Sequence, residues 1–265
     1  MKKVFKRVLK ITFLSILTGI LTIAAIILFP QKLFAKKFSY KRFTVYSNAN
    51  VDDEIKIVLD NALILVQRSE LYDPDYKYNI ILCDHSFYNK FDDKVLGIGR
   101  TARATLKNII IKVRIDPKKD LAFPTFHKAC EKSLAEVIAH EMIHCLQANR
   151  YGILKFNPFS HPDFWKLEGY PEYISKQKEI SGSDYSLTGY IDRYVDLKGK
   201  AADMWISSEE GGCEVPDYYY KGKLMMEYLM DIRHLSYDQV LRDTASENRI
   251  YQEMIRWNND KKHEQ

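Results

Sequence analysis

The sequence predicts an α+β fold: a small mixed sheet with helices, then a mainly helical C-terminal part, behind one N-terminal transmembrane helix. Three observations predict it. Residues Ile11–Phe29 hold no charge and follow a basic head. Up to residue 115, short apolar runs suited to strands alternate with three- and four-residue apolar spacings suited to helices. Beyond Ser133 the helical spacing dominates.

At the N-terminus, Lys2, Lys3, Lys6, Arg7 and Lys10 precede the uncharged stretch, and Pro30 closes it. As a helix that stretch is about 28 Å long, close to the thickness of a bilayer core. It is longer than the roughly 7–15 apolar residues of a cleaved signal peptide. The best cut, after Ala35, would place Leu33 at −3, a poor fit. Residues 1–35 are therefore expected to form an uncleaved signal anchor, and 36–265 one folded domain. Basic residues flank the span on both sides, so the positive-inside rule gives little bias. A short basic head before an apolar run is how export signals begin, which places the body outside, in a single-pass, extracytoplasmic arrangement.

The charge is split along the chain. Ten of the 40 Lys and Arg lie in residues 1–42, which hold no Asp or Glu, leaving 30 against 35 acidic residues in 43–265. A nucleic-acid-binding domain keeps its basic surplus on the body, so no nucleic-acid partner is expected.

Element by element, Phe43–Ser47 reads as a short strand. Asp53–Glu70 reads as a helix, because Ile55, Val58, Leu59, Ala62, Leu65 and Val66 fall on one face. Tyr78–Cys83 is an apolar strand, Ser86–Phe91 a short helix, and Gly97-Ile98-Gly99 a turn. Thr105–Ile115 reads as a second strand, and 117–124 as a connection between two prolines. A helix then runs to about Tyr151, with Ser133 and Glu136 spaced as a capping box and Gly152 as its stop. Glu168–Glu179, Leu187–Lys198, Tyr218–His234, Tyr237–Thr244 and Glu247–Asn259 follow as helices.

The four cysteines are Cys83, Cys130, Cys145 and Cys213. An exported body permits disulfides. Cys130 and Cys145 are the least suitable pair, since 15 helical residues separate them by about 22 Å. No CxxC spacing suggests a cysteine metal site. Buried free thiols fit the sequence at least as well as a bridge.

The chemistry-bearing residues centre on His140-Glu141-Met142-Ile143-His144. Two histidines four apart share one helix face and can bind one Zn2+ through their rings, with Glu141 beside them to work on a bound water. The surrounding run, Val137-Ile138-Ala139 before and Cys145-Leu146 after, is apolar, so burying these polar groups needs a reason. A third ligand is wanted, and Trp165-Lys166-Leu167-Glu168-Gly169-Tyr170-Pro171-Glu172-Tyr173 follows.

With these two motifs the chain resembles the gluzincin, thermolysin-like branch of zinc metallopeptidases, and in particular its compact members with a W-x-x-E-G-x-x-E-Y second helix. The resemblance spans about residues 105–260 in element order and is specific at the two motifs. It implies a zincin-like fold, with the first motif on the active-site helix. One zinc ion would be held by His140, His144 and Glu168. Glu141 would be catalytic general base and acid, and Glu172 would support a ligand histidine, His140. It implies an oxyanion donor in the later helices, with Tyr170, Tyr218, Tyr219, Tyr220 and His234 as candidates. It also implies a peptide or protein substrate pairing with an edge strand, for which Asn108–Val113 is the natural candidate. Pro171 departs from a helix interior, so the second helix is expected to start near Gly169, with Glu168 at its very beginning. His161 is a loop residue near the site or on the surface, and His85, His127 and His263 have no supporting context. Two alternatives fit the same residues: a membrane-tethered, non-catalytic binding protein with a peptidase-like fold, and a zinc hydrolase of a non-peptide amide.

Overall fold

The computed structural model describes residues 2–84, 86–97, 101–124, 129–156, 161–176, 185–200, 205–207 and 213–263. His85, His127, Ile98, Gly99 and the predicted helix end at 177–179 lie outside them. The described chain is a mixed α+β structure with one N-terminal apolar helix, α1 (Lys2–Leu28), long and apolar enough to cross a membrane.

After α1, one 3-10 turn (Pro30–Leu33) leads directly into a five-stranded mixed sheet. Its strands are β1 (Lys36–Tyr40), β2 (Phe43–Ser47), β3 (Tyr78–Leu82), β4 (Ala102–Thr105) and β5 (Asn108–Ile111), in the order β1-β2-β3-β5-β4. The β2, β3 and β5 strands run parallel, while β1 and β4 are antiparallel edges. Between strands lie α2 (Ile55–Val66) and α3 (Phe87–Leu96). The six apolar residues read onto one face of α2 are the ones it buries.

The expected strand Thr105–Ile115 is three strands. Leu106 turns through a left-handed conformation (φ 55°), which folds β4 back on β5. A second small sheet holds β6 (Arg114–Asp116), β7 (Leu121–Phe123) and β8 (Lys132–Ser133), so part of the expected connection is strand. The β1 strand leaves little trace in the sequence, because Lys36-Lys37-Phe38-Ser39-Tyr40 carries too little apolar signal.

The helical part begins with α4 (Leu134–Tyr151). Ser133 caps it, accepting from the Glu136 amide, and Gly152 ends it at φ 86°. Asp120 takes part of the expected box's work: it accepts from the Ala135 amide at 2.8 Å and from the Ser133 hydroxyl at 2.6 Å. Next come α5 (Phe164–Ser175), α6 (Leu187–Lys200), the hairpin pair β9 (Trp205–Ser207) and β10 (Glu214–Pro216), and α7 (Asp217–Glu227). A π turn (Tyr228–Ile232), α8 (Tyr237–Arg242) and α9 (Glu247–His263) complete it. The main core lies between one face of the sheet and the helices α2, α4, α5 and α7. A smaller cluster of Phe34, Ile81, Cys83, Tyr88 and Ile110 covers the other face.

The cysteines divide between the two readings. Cys130 and Cys213 form a disulfide with Cα atoms 5.0 Å apart, while Cys83 and Cys145 are buried free thiols. Burial pushes the Cys83 thiol up to about 12 and Cys145 well above its usual range, so both are unreactive.

Candidate metal centre

The α4 helix is buried nearly all round, so His140 and Glu141 are withdrawn from solvent with it. One turn apart, the two imidazoles present their Nε2 atoms 3.1 Å from each other. The α5 helix crosses α4 and brings Glu168 to both: its Oε2 lies 3.2 Å from each Nε2. His140, His144 and Glu168 thus form a group that can hold a metal ion.

The expected start of the second helix at Gly169 is corrected. It begins at Phe164, which puts Glu168 inside it and Pro171 in its interior. A proline there leaves the carbonyl four residues back without its helical donor. That carbonyl, of Leu167, accepts a hydrogen bond from Gln147 Nε2 at 3.1 Å. Gln147 Nε2 also donates to the Tyr237 hydroxyl at 2.8 Å, which in turn donates to the Lys166 carbonyl.

This chain of bonds fixes a tautomer. A backbone carbonyl only accepts, so the amide nitrogen of Gln147 must face Leu167 and its oxygen must face His144. Gln147 Oε1 lies 2.8 Å from His144 Nδ1, which therefore carries a proton, so that in the neutral ring the Nε2 lone pair faces Glu168 and His140 and is free for a metal ion. On His140, Nδ1 lies 3.3 Å from Glu172 Oε1, near enough for an ion pair but off the line of a hydrogen bond. Gln147 was missed in the sequence, although it stands three residues beyond His144 and so shares its face.

The charges are coupled. Burial would lower the His140 pKa, but Glu168 and Glu172 outweigh it and hold the metal-free imidazole up at about 10. Burial works against the Glu172 carboxylate, yet His140, Lys132 and Lys176 bring it down to about 2. Burial raises Glu141, opposed by the two histidines.

These residues line a cleft of about 950 Å³. Its walls include β4, the segment Ala129–Ser133, and Tyr218, Tyr219 and Tyr220. The Tyr219 ring stands edge-on to His140, with centroids 5.7 Å apart. Tyr218 packs on Phe164 at 5.0 Å, and Tyr220 stacks on Tyr194 at 5.7 Å. His161 sits at the same cleft, exposed, with Nδ1 2.7 Å from the Pro162 carbonyl.

Two expected candidates are placed elsewhere. Tyr170 is fully buried: its hydroxyl lies 2.9 Å from Ser69 Oγ and accepts from the Glu70 amide, and its ring stacks on Tyr237 at 3.9 Å. His234 lines a separate cavity of about 440 Å³ beside it. Side chains on α5 point successively around the helix, so Tyr170, two residues past Glu168, faces away from the metal side. The edge-strand expectation is also corrected. The Asn108–Val113 segment supplies the interior strand β5, and the edge facing the cleft is β4. His263 ends α9, exposed.

The α5 and α7 helices touch at two glycines. A Cβ on Gly169 would stand 2.7 Å from the Gly222 carbonyl oxygen, so the backbones meet with no room for a side chain. This contact sets Tyr219, one turn before Gly222, over His140.

Set against known proteins, the chain matches no family model and no curated protein.

Proposed function

We propose that this chain is a membrane-anchored zinc peptidase of the gluzincin type. The observation that carries it is the convergence of His140 Nε2, His144 Nε2 and Glu168 Oε2 beside Glu141 in an open cleft. The donor set fits zinc. Four ligands at about 2.0–2.1 Å in a tetrahedron stand about 3.3–3.4 Å from one another. The three ligand atoms here are 3.1, 3.2 and 3.2 Å apart. Two histidines and one carboxylate leave one position open, as catalytic sites require.

When bound, the ion supplies Lewis acidity toward water and the scissile carbonyl. Glu141 takes the proton of the attacking water and returns it to the leaving amine. Burial raises its carboxyl above the usual carboxylate range, which makes it the stronger base. Tyr219 is the best placed of the candidate donors to hydrogen-bond the carbonyl oxygen as it gains charge. The strand β4, an edge of the sheet among the described residues, offers its outer backbone side to an extended peptide lying in the cleft. The Cys130–Cys213 bridge suits the oxidising side of a membrane, which supports an extracytoplasmic body.

The test is metal analysis and peptide hydrolysis by the full chain in detergent. Glu141→Gln should keep the metal and lose at least about 100-fold in rate. Retained hydrolysis in that variant would sink the mechanism. His144→Ala should lose the metal.

A further inference from the structure

We infer that the outer face of α3, with the turn that follows α1, forms a second, interfacial contact with the bilayer. The inference rests on the reading of α1 as a membrane span. The uncharged stretch Ile11–Phe29 is 19 residues, about 28 Å as a helix, against about 30 Å of hydrocarbon. It has no length to spare. Yet its last turn is already in contact with the body: Ile26 packs on the cluster of Phe34, Tyr88 and Ile110, and Asn108 Nδ2 donates to the Leu28 carbonyl at 3.0 Å. If the helix spans, the surface around Ile26–Phe29 is drawn down to the headgroups.

That surface has the matching chemistry. In α3, Tyr88 and Asp92 turn inward, and Tyr88 meets Phe34 with ring centroids 6.1 Å apart. Facing out are Phe87, 78% exposed, then Lys90 and Lys94 at helical spacing, with Val95 beside them. Phe29 and Leu33, both exposed, lie on the turn between α1 and Phe34. Exposed aromatic and aliphatic side chains among lysines suit the boundary between acyl chains and anionic headgroups. The acidic residues of α3 are bound inward: Asp92 accepts from Arg103 Nε at 2.7 Å and pairs with Lys112 at 2.8 Å, and Asp93 pairs with Lys112. Arg103 belongs to β4, so α3 on the membrane fixes the cleft's edge strand relative to the bilayer.

The test uses the full chain in nanodiscs, with an environment-sensitive fluorophore on a single introduced cysteine and doxyl-labelled lipid as quencher. Leu17→Cys reports the span, Phe87→Cys the proposed contact, and Leu154→Cys, on a loop 83% exposed, the aqueous body. The expected result is loss of fluorescence at 17 and 87 and none at 154. Quenching at 17 without quenching at 87 overturns the contact while leaving the span intact. No quenching at 17 removes the span, and the contact with it, but leaves metal binding and hydrolysis untouched. Quenching at 87 should increase when phosphatidylserine replaces part of the phosphatidylcholine, and Lys90→Glu with Lys94→Glu should abolish that increase. Equal quenching in both lipids overturns the role given to the lysines.

Discussion

Gln147 decides which nitrogen His144 offers. Its amide is itself oriented by the Leu167 carbonyl that Pro171 leaves without a helical donor, so residues of two different helices set one lone pair. Removing such an orienting partner weakens metal binding by about 10–100-fold. Gln147→Ala should therefore raise the zinc dissociation constant by that factor in a chelator competition titration, with the fold intact. An unchanged constant would mean that His144 is oriented by something else. The spacing of His140, Glu141, His144, Glu168 and Glu172 was legible in the sequence because i, i+1 and i+4 relations on a helix are local. Gln147 is equally local, but its role depends on the crossing of α4 and α5, which no spacing displays. The choice of Tyr219 over Tyr170 and His234 likewise needed α7 to be placed.

At the scale of elements, Gly169 and Gly222 let α5 and α7 meet backbone to backbone. Gly169→Ala forces them apart, because the atom it would strike is a carbonyl oxygen and not a flexible side chain. Overpacking of this kind destabilises by about 1–3 kcal/mol. The variant should unfold at lower denaturant concentration and lose the proposed metal-dependent hydrolysis as Tyr219 shifts from His140. Gly199→Ala, in a helix with open space around it, should be neutral or slightly stabilising. Equal effects from both would refute the contact argument. Helices with a single apolar face, such as α2, were readable from periodicity. The three strands within 102–116 were not, because the turn at Leu106 uses a left-handed conformation on a residue that does not announce one. In the same way, Pro171 pointed to a helix start, and the tertiary bond from Gln147 made an interior position tolerable.

For the whole molecule, the proposed zinc site predicts a stability that depends on pH in opposite senses with and without the ion. In the metal-free protein His140 is held at about 10, above its usual 6.5. Its contribution is complete below pH 6.5 and disappears as the pH rises toward 10. Zinc requires the deprotonated rings, so its contribution grows over the same range. Thermal unfolding with a chelator should thus show falling stability from pH 6.5 to 10, and stoichiometric zinc should cancel or reverse the fall. Parallel curves would count against these ligands. The α+β class, the apolar N-terminal helix and the mainly helical second half were visible in the sequence, whereas the pairing of Cys130 with Cys213 was not, since connectivity is a property of the finished fold. That pairing has a topological consequence. His140, Glu141, His144, Glu168 and Glu172 all lie between the two cysteines, within one covalent ring closed across 83 residues. A single cut in the exposed stretch at Leu154 would separate the two motifs along the backbone while leaving them tied in one molecule.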